Sequence, residues 1–406
     1  MARRSGFTLL ELMTSVALTI IILLAVAAAF SATQTVYQRE ANMKSAVENG
    51  RIATAYLENI TRYAGYGLDP RFAIDMSTTN LPGGTPTKSN YVDTTQYTST
   101  AITGFATDDF AFRYRDPSYL RRGTFNQATM TVALDASTGA PGTFGMSVVT
   151  GRMLQIVCSA GQAWTVVRTA AALTGTETNV AVASANVGGN AASFPAPPNA
   201  TAAPCMLLTG DKAPFVMVVR EVRLRVIPLG TAPNIRPFLV AYNDLSASVV
   251  GGSTDFDPIA ADVESFQVSY VMNRGPGAAI DSGGDWILGN TVGDSPAIPT
   301  TTGTRPVFDS LYDAPERFSA DAANVRAVSF DLAVRSRRAE TRKAYAQPRL
   351  ADDPTAAVAA DGYFHTSIST TVRTPNLASR TIFVPALRPA GAVAGSNEWM
   401  QNTWGG

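Results

Sequence analysis

The sequence predicts an α+β protein, with one long N-terminal helix packed on an antiparallel, β-rich globular head. Three observations predict it. Residues 7–30 are apolar around a single charge, and residues 31–64 contain no proline while stepping their apolar side chains by three and four. Beyond Gly67 the pattern changes to a period of two.

The opening residues set the orientation. Arg3 and Arg4 precede the run from Phe7 to Phe30, which has neither Gly nor Pro and carries only Glu11 as a charge. As a helix at about 1.5 Å per residue this run would be roughly 36 Å long, enough to cross a bilayer. The two arginines hold the N-terminus in the cytoplasm, so the chain after Phe30 is exported. A plain membrane anchor fits this pattern. A secretory signal fits too, since Ala25-Val26-Ala27 and Ala27-Ala28-Ala29 both suit a small-x-small cleavage site. Glu11 fits neither, because an acidic side chain deep in hydrocarbon costs about 2.5–3.5 kcal/mol and should persist only where it gains a partner.

The helix is predicted to continue to about Tyr63. Met43, Val47, Gly50, Ala53, Leu57, Ile60 and Ala64 share one face, and Lys44, Glu48, Arg51, Ala55, Glu58 and Arg62 another. Glu40 with Lys44 and Glu58 with Arg62 are i,i+4 pairs in the favourable order. Gly65 and Gly67 supply the stop. Residues 7–30 are thus apolar all round and residues 31–66 amphipathic, which requires a surface to lie on.

The head is predicted over 67–375, with a tail at 376–406. Phe110-Phe112-Tyr114, Met130-Val132-Leu134, Val222-Leu224-Val226, Phe266-Val268-Tyr270-Met272, Val328-Phe330-Leu332-Val334 and Ile368 with Val372 alternate with other residues and read as antiparallel strands. Segments 68–105, 175–205, 228–262 and 274–324 are rich in Gly, Pro, Thr, Ser, Asn and Asp and read as loops, and 228–262 is a candidate division of the head into two sub-regions. At 406 residues the chain can bury a substantial core. Charged residues are 16% and cancel, 32 against 32, so no basic surplus is present to grip nucleic acid.

The first residues carry a resemblance. Gly6-Phe7-Thr8-Leu9-Leu10-Glu11-Leu12 resembles the processing site of type IV prepilins. The resemblance implies a leader at 1–6 containing Arg3 and Arg4, a cut between Gly6 and Phe7 on the cytoplasmic side, and N-methylation of Phe7. It also implies an assembly role for Glu11: one turn beyond the new amine, its carboxylate can neutralise the amine of a neighbouring subunit inside an apolar filament core.

Glu48-Asn49-Gly50-Arg51 and Arg62-Tyr63-Ala64-Gly65-Tyr66 are similar to the helix end of minor pilins of the PilW type. Residues 262–270, 324–335 and 370–373 are similar to the head of that family. The implied function is that of a structural subunit, not an enzyme and without a cofactor, that primes pilus assembly and sits at or near the tip, supporting adhesion and twitching motility. The implied partners are other minor pilins and the major pilin, the prepilin peptidase, the inner-membrane assembly platform and a tip adhesin. The implied location is the inner membrane with a periplasmic head, then the extracellular pilus. Major pilins commonly carry a proline in the apolar run, and this chain has none. The same leader and helix also suit a pseudopilin of a type II secretion system, and a head that binds a ligand would be a tip adhesin.

No catalytic residues are expected, since no Gly-x-Ser-x-Gly, His-Glu-x-x-His or P-loop occurs. His365, the single histidine, is expected to be a packed or surface residue of a strand. Asp281 and Asp285, with Asp294 beyond, lie in a Gly-rich stretch that could offer oxygens to Ca²⁺, although a solvated turn is the simpler reading and no metal is expected. Arg335, Arg337, Arg338, Arg342 and Lys343 read as a solvated basic loop, and Arg220, Arg223 and Arg225 as the outer edge of a strand. Cys158 and Cys205 are expected to form a disulfide, because the exported compartment is oxidising. The enclosed segment, much of it Ala, Thr, Gly and Asn, buries little by itself, and closing it is worth about 4 kcal/mol in the chain-entropy model.

Overall fold

The computed structural model describes residues 8–68, 73–75, 107–108, 110–126, 129–134, 142–158, 164–186, 204–230, 235–243, 256–272, 286–289, 325–340, 343–348, 350 and 360–378. A continuous helix, α1 (Leu9–Thr61), leads into strands β1 (Ile74–Asp75), β2 (Phe110–Arg115), β3 (Arg121–Asn126), β4 (Thr131–Leu134), β5 (Met153–Val157), β6 (Trp164–Thr169) and β7 (Asn179–Asn186). The chain continues through β8 (Phe215–Leu229), β9 (Arg236–Asn243), β10 (Asp257–Ala261), β11 (Val263–Met272), β12 (Ile287–Leu288), β13 (Val325–Arg335) and β14 (His365–Arg373), and then a short helix, α2 (Pro375–Ala378). This is the long helix followed by an antiparallel head that the sequence predicts.

The head is organised by β8, whose 15 residues serve two structures in turn. Its upper part runs between β2, which aligns Phe110 with Leu224, and β9, which aligns Leu239 with Val226. Its lower part runs between β3 and β5. From there β3 pairs with β4, β4 with β7, β7 with β6 and β6 with β5, so β8-β3-β4-β7-β6-β5 closes on itself. A ring of strands has no open edge, which removes the usual template for unwanted pairing. Phe125, Val132, Leu154, Ile156, Val180, Val216 and Val218 fill a core there.

The second sheet has the order β12-β11-β13-β14. Its inward residues are Phe266, Val268 and Tyr270 on β11 and Val328, Phe330, Leu332 and Val334 on β13. They meet Phe110, Phe112, Val222, Leu224 and Val226 of the first sheet in a separate core. Phe330 packs edge-on against Phe110 at 5.2 Å and is stacked on Phe266 at 5.8 Å, the two arrangements that aromatic rings favour. Helix α1 contributes Ala53 and Leu57 to this core and lies against β14, β13 and β10. It therefore shields one terminal strand of each sheet, β10 of the first and β14 of the second.

Several expectations need correction. Segment 175–205 contains β7, and 228–262 contains the end of β8 with β9 and β10, so both hold strands despite their Pro, Gly and Asn. Each is tied into a sheet by long-range pairing that local composition does not reveal. Strand β8 is interior to its sheet, with Arg223 opposite Ala111 of β2 and Tyr242 of β9, so Arg220, Arg223 and Arg225 do not form an outer edge, and Arg225 is buried. Arg335 is not in a solvated loop: it ends β13, buried and ion-paired. On α1 the buried stripe is Ala46, Gly50, Ala53, Leu57 and Thr61, rotated slightly from the predicted face, and Met43 is exposed.

Candidate functional site

The two halves of α1 are built from different residues. At its start Thr8 is the N-cap, with extended φ −75° and ψ 150°. Its hydroxyl accepts from the Glu11 amide at 3.3 Å, while Glu11 Oε2 accepts from the Thr8 amide and hydroxyl, each at 3.0 Å. This capping box satisfies donors that a helix start leaves unpaired, and it holds a negative charge at the positive end of the helix dipole. Glu11 thus has a partner within its own chain. Gly6 and Phe7, the expected cleavage and methylation residues, and Arg3 and Arg4 of the expected leader, lie outside the described residues.

From Leu9 to Phe30 the helix is exposed on every face, Leu9 and Leu10 at 80% and 73% and Phe30 at 64%. The helix is long and apolar enough to cross a membrane. Its hydroxyls fold back on the helix itself: Ser15 donates to the Glu11 carbonyl and Thr19 to the Ser15 carbonyl, both at 2.7 Å. Polar groups satisfied within the segment are what hydrocarbon tolerates.

The second half is seated. Gly50 brings the helix so close to β14 that a Cβ there would fall 2.2 Å from Ile368 Cδ1. Further along, Thr370 of β14 donates to Glu58 Oε1 at 2.7 Å. Where the helix ends, Asn376 of α2 donates to the carbonyls of Arg62 at 2.9 Å and Ala64 at 3.4 Å, satisfying acceptors that a helix C-terminus leaves open. Gly65 follows with φ 77°, and its amide donates to the Arg113 carbonyl at 2.9 Å. A Cβ at Gly65 would meet Leu377 of α2 at 2.7 Å. The end of the described chain thus clamps the end of the helix.

Comparison with known proteins adds little. No protein-family model matches the chain, and no curated protein matches it. Among solved structures it is similar to a type IV-like pilin from Thermus thermophilus, at 14% identity and a TM-score of 0.18, over 57% of this chain and 86% of that one. A likeness that slight is no basis for a function, which has to come from the chain's own residues.

The remaining sequence-selected residues divide sharply. Cys158 follows β5, is 1% exposed and is disulfide-bonded, whereas the side chain of Cys205 lies outside the described residues. Asp281, Asp285 and Asp294, the candidate calcium ligands, lie outside them as well, as does Arg342. Arg113 of β2, never singled out by sequence, is fully buried against Glu221 of β8 at 2.6 Å. The alternation of Arg113 and Arg115 with aromatic residues gave the strand, but its partner lies over a hundred residues away. Gly50 was placed on the packed face of the helix, but its neighbour Ile368 was not foreseen, and Thr370 and Asn376 were missed as contacts, since each acts on an element distant in sequence.

Proposed function

We propose that this chain is a filament subunit of the type IV pilin class, and within it a minor pilin of the PilW type that primes assembly at or near the pilus tip. One observation carries the reading: a single helix is exposed and apolar over Leu9–Phe30 yet fixed into a β-rich head over Ala46–Thr61. Such a helix gains stability by burial, first in a membrane and then among the helices of neighbouring subunits. Residues 1–6 are then the leader. The peptidase cuts between Gly6 and Phe7 and methylates Phe7. Glu11, offered at the helix start by Thr8, neutralises the amine of an adjacent subunit.

The partners on this reading are other minor pilins, the major pilin, the prepilin peptidase, the inner-membrane assembly platform and a tip adhesin. The head resides in the periplasm before assembly and outside the cell afterwards. There the Cys158 bridge pairs with Cys205 and secures the residues between them.

Mass spectrometry of the mature protein tests the reading. The expected N-terminus is a methylated Phe7, and reduction should add two hydrogens for the single bridge. A chain starting near residues 28–32 would mean ordinary signal cleavage and would remove the pilin reading. Two thiols before reduction would remove the bridge alone.

A further inference from the structure

At one end of the head, three carboxylates and two guanidinium groups surround the chain's single histidine. Asp262 stands where the chain leaves β10 in the first sheet and enters β11 in the second, with φ 61°. Its carboxylate accepts from Arg236 of β9 at 2.9 and 2.5 Å, and its carbonyl accepts from the Arg335 amide at 2.9 Å. Arg335 in turn donates to Glu264 Oε1 at 3.1 Å and lies over the Tyr363 ring at 4.3 Å. His365, the first residue of β14, places Nδ1 3.0 Å from Glu264 Oε2 and Nε2 2.8 Å from Asp361 Oδ1. Its side chain is 0% exposed, against 2% for Glu264 and 34% for Asp361.

Both ring nitrogens therefore face carboxylate oxygens. A neutral imidazole has one N–H, so in either tautomer a nitrogen lone pair would confront a carboxylate at hydrogen-bond distance. The imidazolium has no such lone pair: it donates from Nε2 to Asp361 and sets a positive charge 3.0 Å from Glu264 Oε2 through Nδ1, an ion pair rather than an aligned hydrogen bond. The charges agree: Asp262, Glu264 and Asp361 against Arg236 and Arg335 leave one negative charge over, which a protonated ring cancels. Among the described residues no group of His, Cys, Asp and Glu is placed to hold a metal ion, and here Arg335 occupies the space between the carboxylates.

We infer that His365 is a proton-dependent clasp, charged in the folded head, which joins β14 to β11 and to the segment before β14, tightening in acid and loosening as its proton leaves. Strand β14 is the surface on which α1 is seated, through Ile368 at Gly50 and Thr370 at Glu58. The clasp therefore acts on the helix seat.

The groups facing it come from each neighbouring element: Glu264 on β11, Arg335 on β13, Asp262 at the β10–β11 junction, Arg236 on β9, and Asp361 with Tyr363 before β14. Beyond these, Tyr345 pairs its backbone with Asp361 and turns its hydroxyl toward Glu340 and Arg39 of α1. Burial by itself disfavours the charged ring, but the Glu264 carboxylate and then Asp361 outweigh it and hold His365 above the usual histidine value of 6.5. A raised value in the folded state means stability fully present below the unfolded pKa of about 6.5 and lost as pH rises through the folded one.

The chain's one histidine gives one set of imidazole signals, so NMR on the full labelled chain in micelles needs no assignment. The expected midpoint lies above about 6.5, with both nitrogens protonated at that pH. Asp361→Asn, at the most exposed member, should move the midpoint down. A midpoint at or below about 6.5, or a neutral tautomer there, would overturn the clasp. In parallel, the difference in unfolding midpoint between the wild type and His365→Gln should be largest near pH 6 and shrink toward about pH 9. Parallel profiles would overturn it as well, and if His365→Gln fails to fold, the wild-type titration decides alone.

Discussion

Leu9–Phe30 and Ala46–Thr61 belong to one unbroken helix, yet the more hydrophobic of the two is the exposed one. The first carries Leu, Ile, Val and Phe with no neighbour among the described residues to shape them. The second buries Ala46, Gly50, Ala53, Leu57 and Thr61, mostly small residues, against strands. Hydrophobic content therefore does not decide which half is covered by its own head. Close approach does, and close approach selects small side chains where the helix meets β14. Among the described residues nothing covers the first half, and a burial supplied from outside them is the physical basis of the proposed filament role.

The largest expected difference between the halves is at a leucine in each. Leu57 is fully buried and Leu23 is 60% exposed. Leu57→Ala should cost the head about 2–5 kcal/mol, the range for a truncated core leucine. Leu23→Ala should leave the head's denaturation midpoint where it was. Chemical unfolding of the full chain in micelles measures both. Equal losses would mean that the two halves do not stand apart in the folded molecule.

How much of this was legible follows the same division. Helix α1 was readable to within two residues at either end, because its length, lone Glu11 and the stop at Gly65 and Gly67 are local signals. Strands with a regular period, such as β11 and β13, were readable for the same reason. The closure of β8-β3-β4-β7-β6-β5 was not, because β7 and the lower half of β8 are joined through intervening strands rather than through any local motif. Arg236-Pro237 and Asp257-Pro258 made β9 and β10 look like loop, although proline is tolerated near strand ends and at bulges, and β10 has its register shift beside Pro258. The clasp was invisible as a set. Its members stand at 236, 262, 264, 335, 361 and 365, and His365 alone offers a general base nothing to work with.

Gly50 gives the next difference. A leucine there would drive carbons into Ile368 and toward Val334, whose Cγ2 already lies 3.5 Å from the site of an added Cβ. Overpacking of this kind costs typically about 1–3 kcal/mol, and here the loss should come from the seat on β14. Ala28→Leu, a comparable enlargement in the exposed half, should cost the head nothing. Should Gly50→Leu unfold at the wild-type midpoint, helix and strand would have to be separable by more than the contact implies.

The smallest difference is polar. Thr370→Val keeps the side-chain shape but removes the donor to Glu58 Oε1, a hydrogen bond of 2.7 Å in a partly buried place. A net loss of about 0.5–1.5 kcal/mol is expected, the upper part of the range applying because the acceptor is a carboxylate. Glu58→Gln retains an acceptor oxygen for the same hydroxyl and should lose less. Thr19→Val makes the matching change in the exposed half, where the hydroxyl bonds only the Ser15 carbonyl of its own helix, and the head should not register it. Denaturant midpoints of the three variants rank them. If Glu58→Gln lost as much as Thr370→Val, the charge of Glu58 rather than its bond to β14 would be what holds that turn of the helix down.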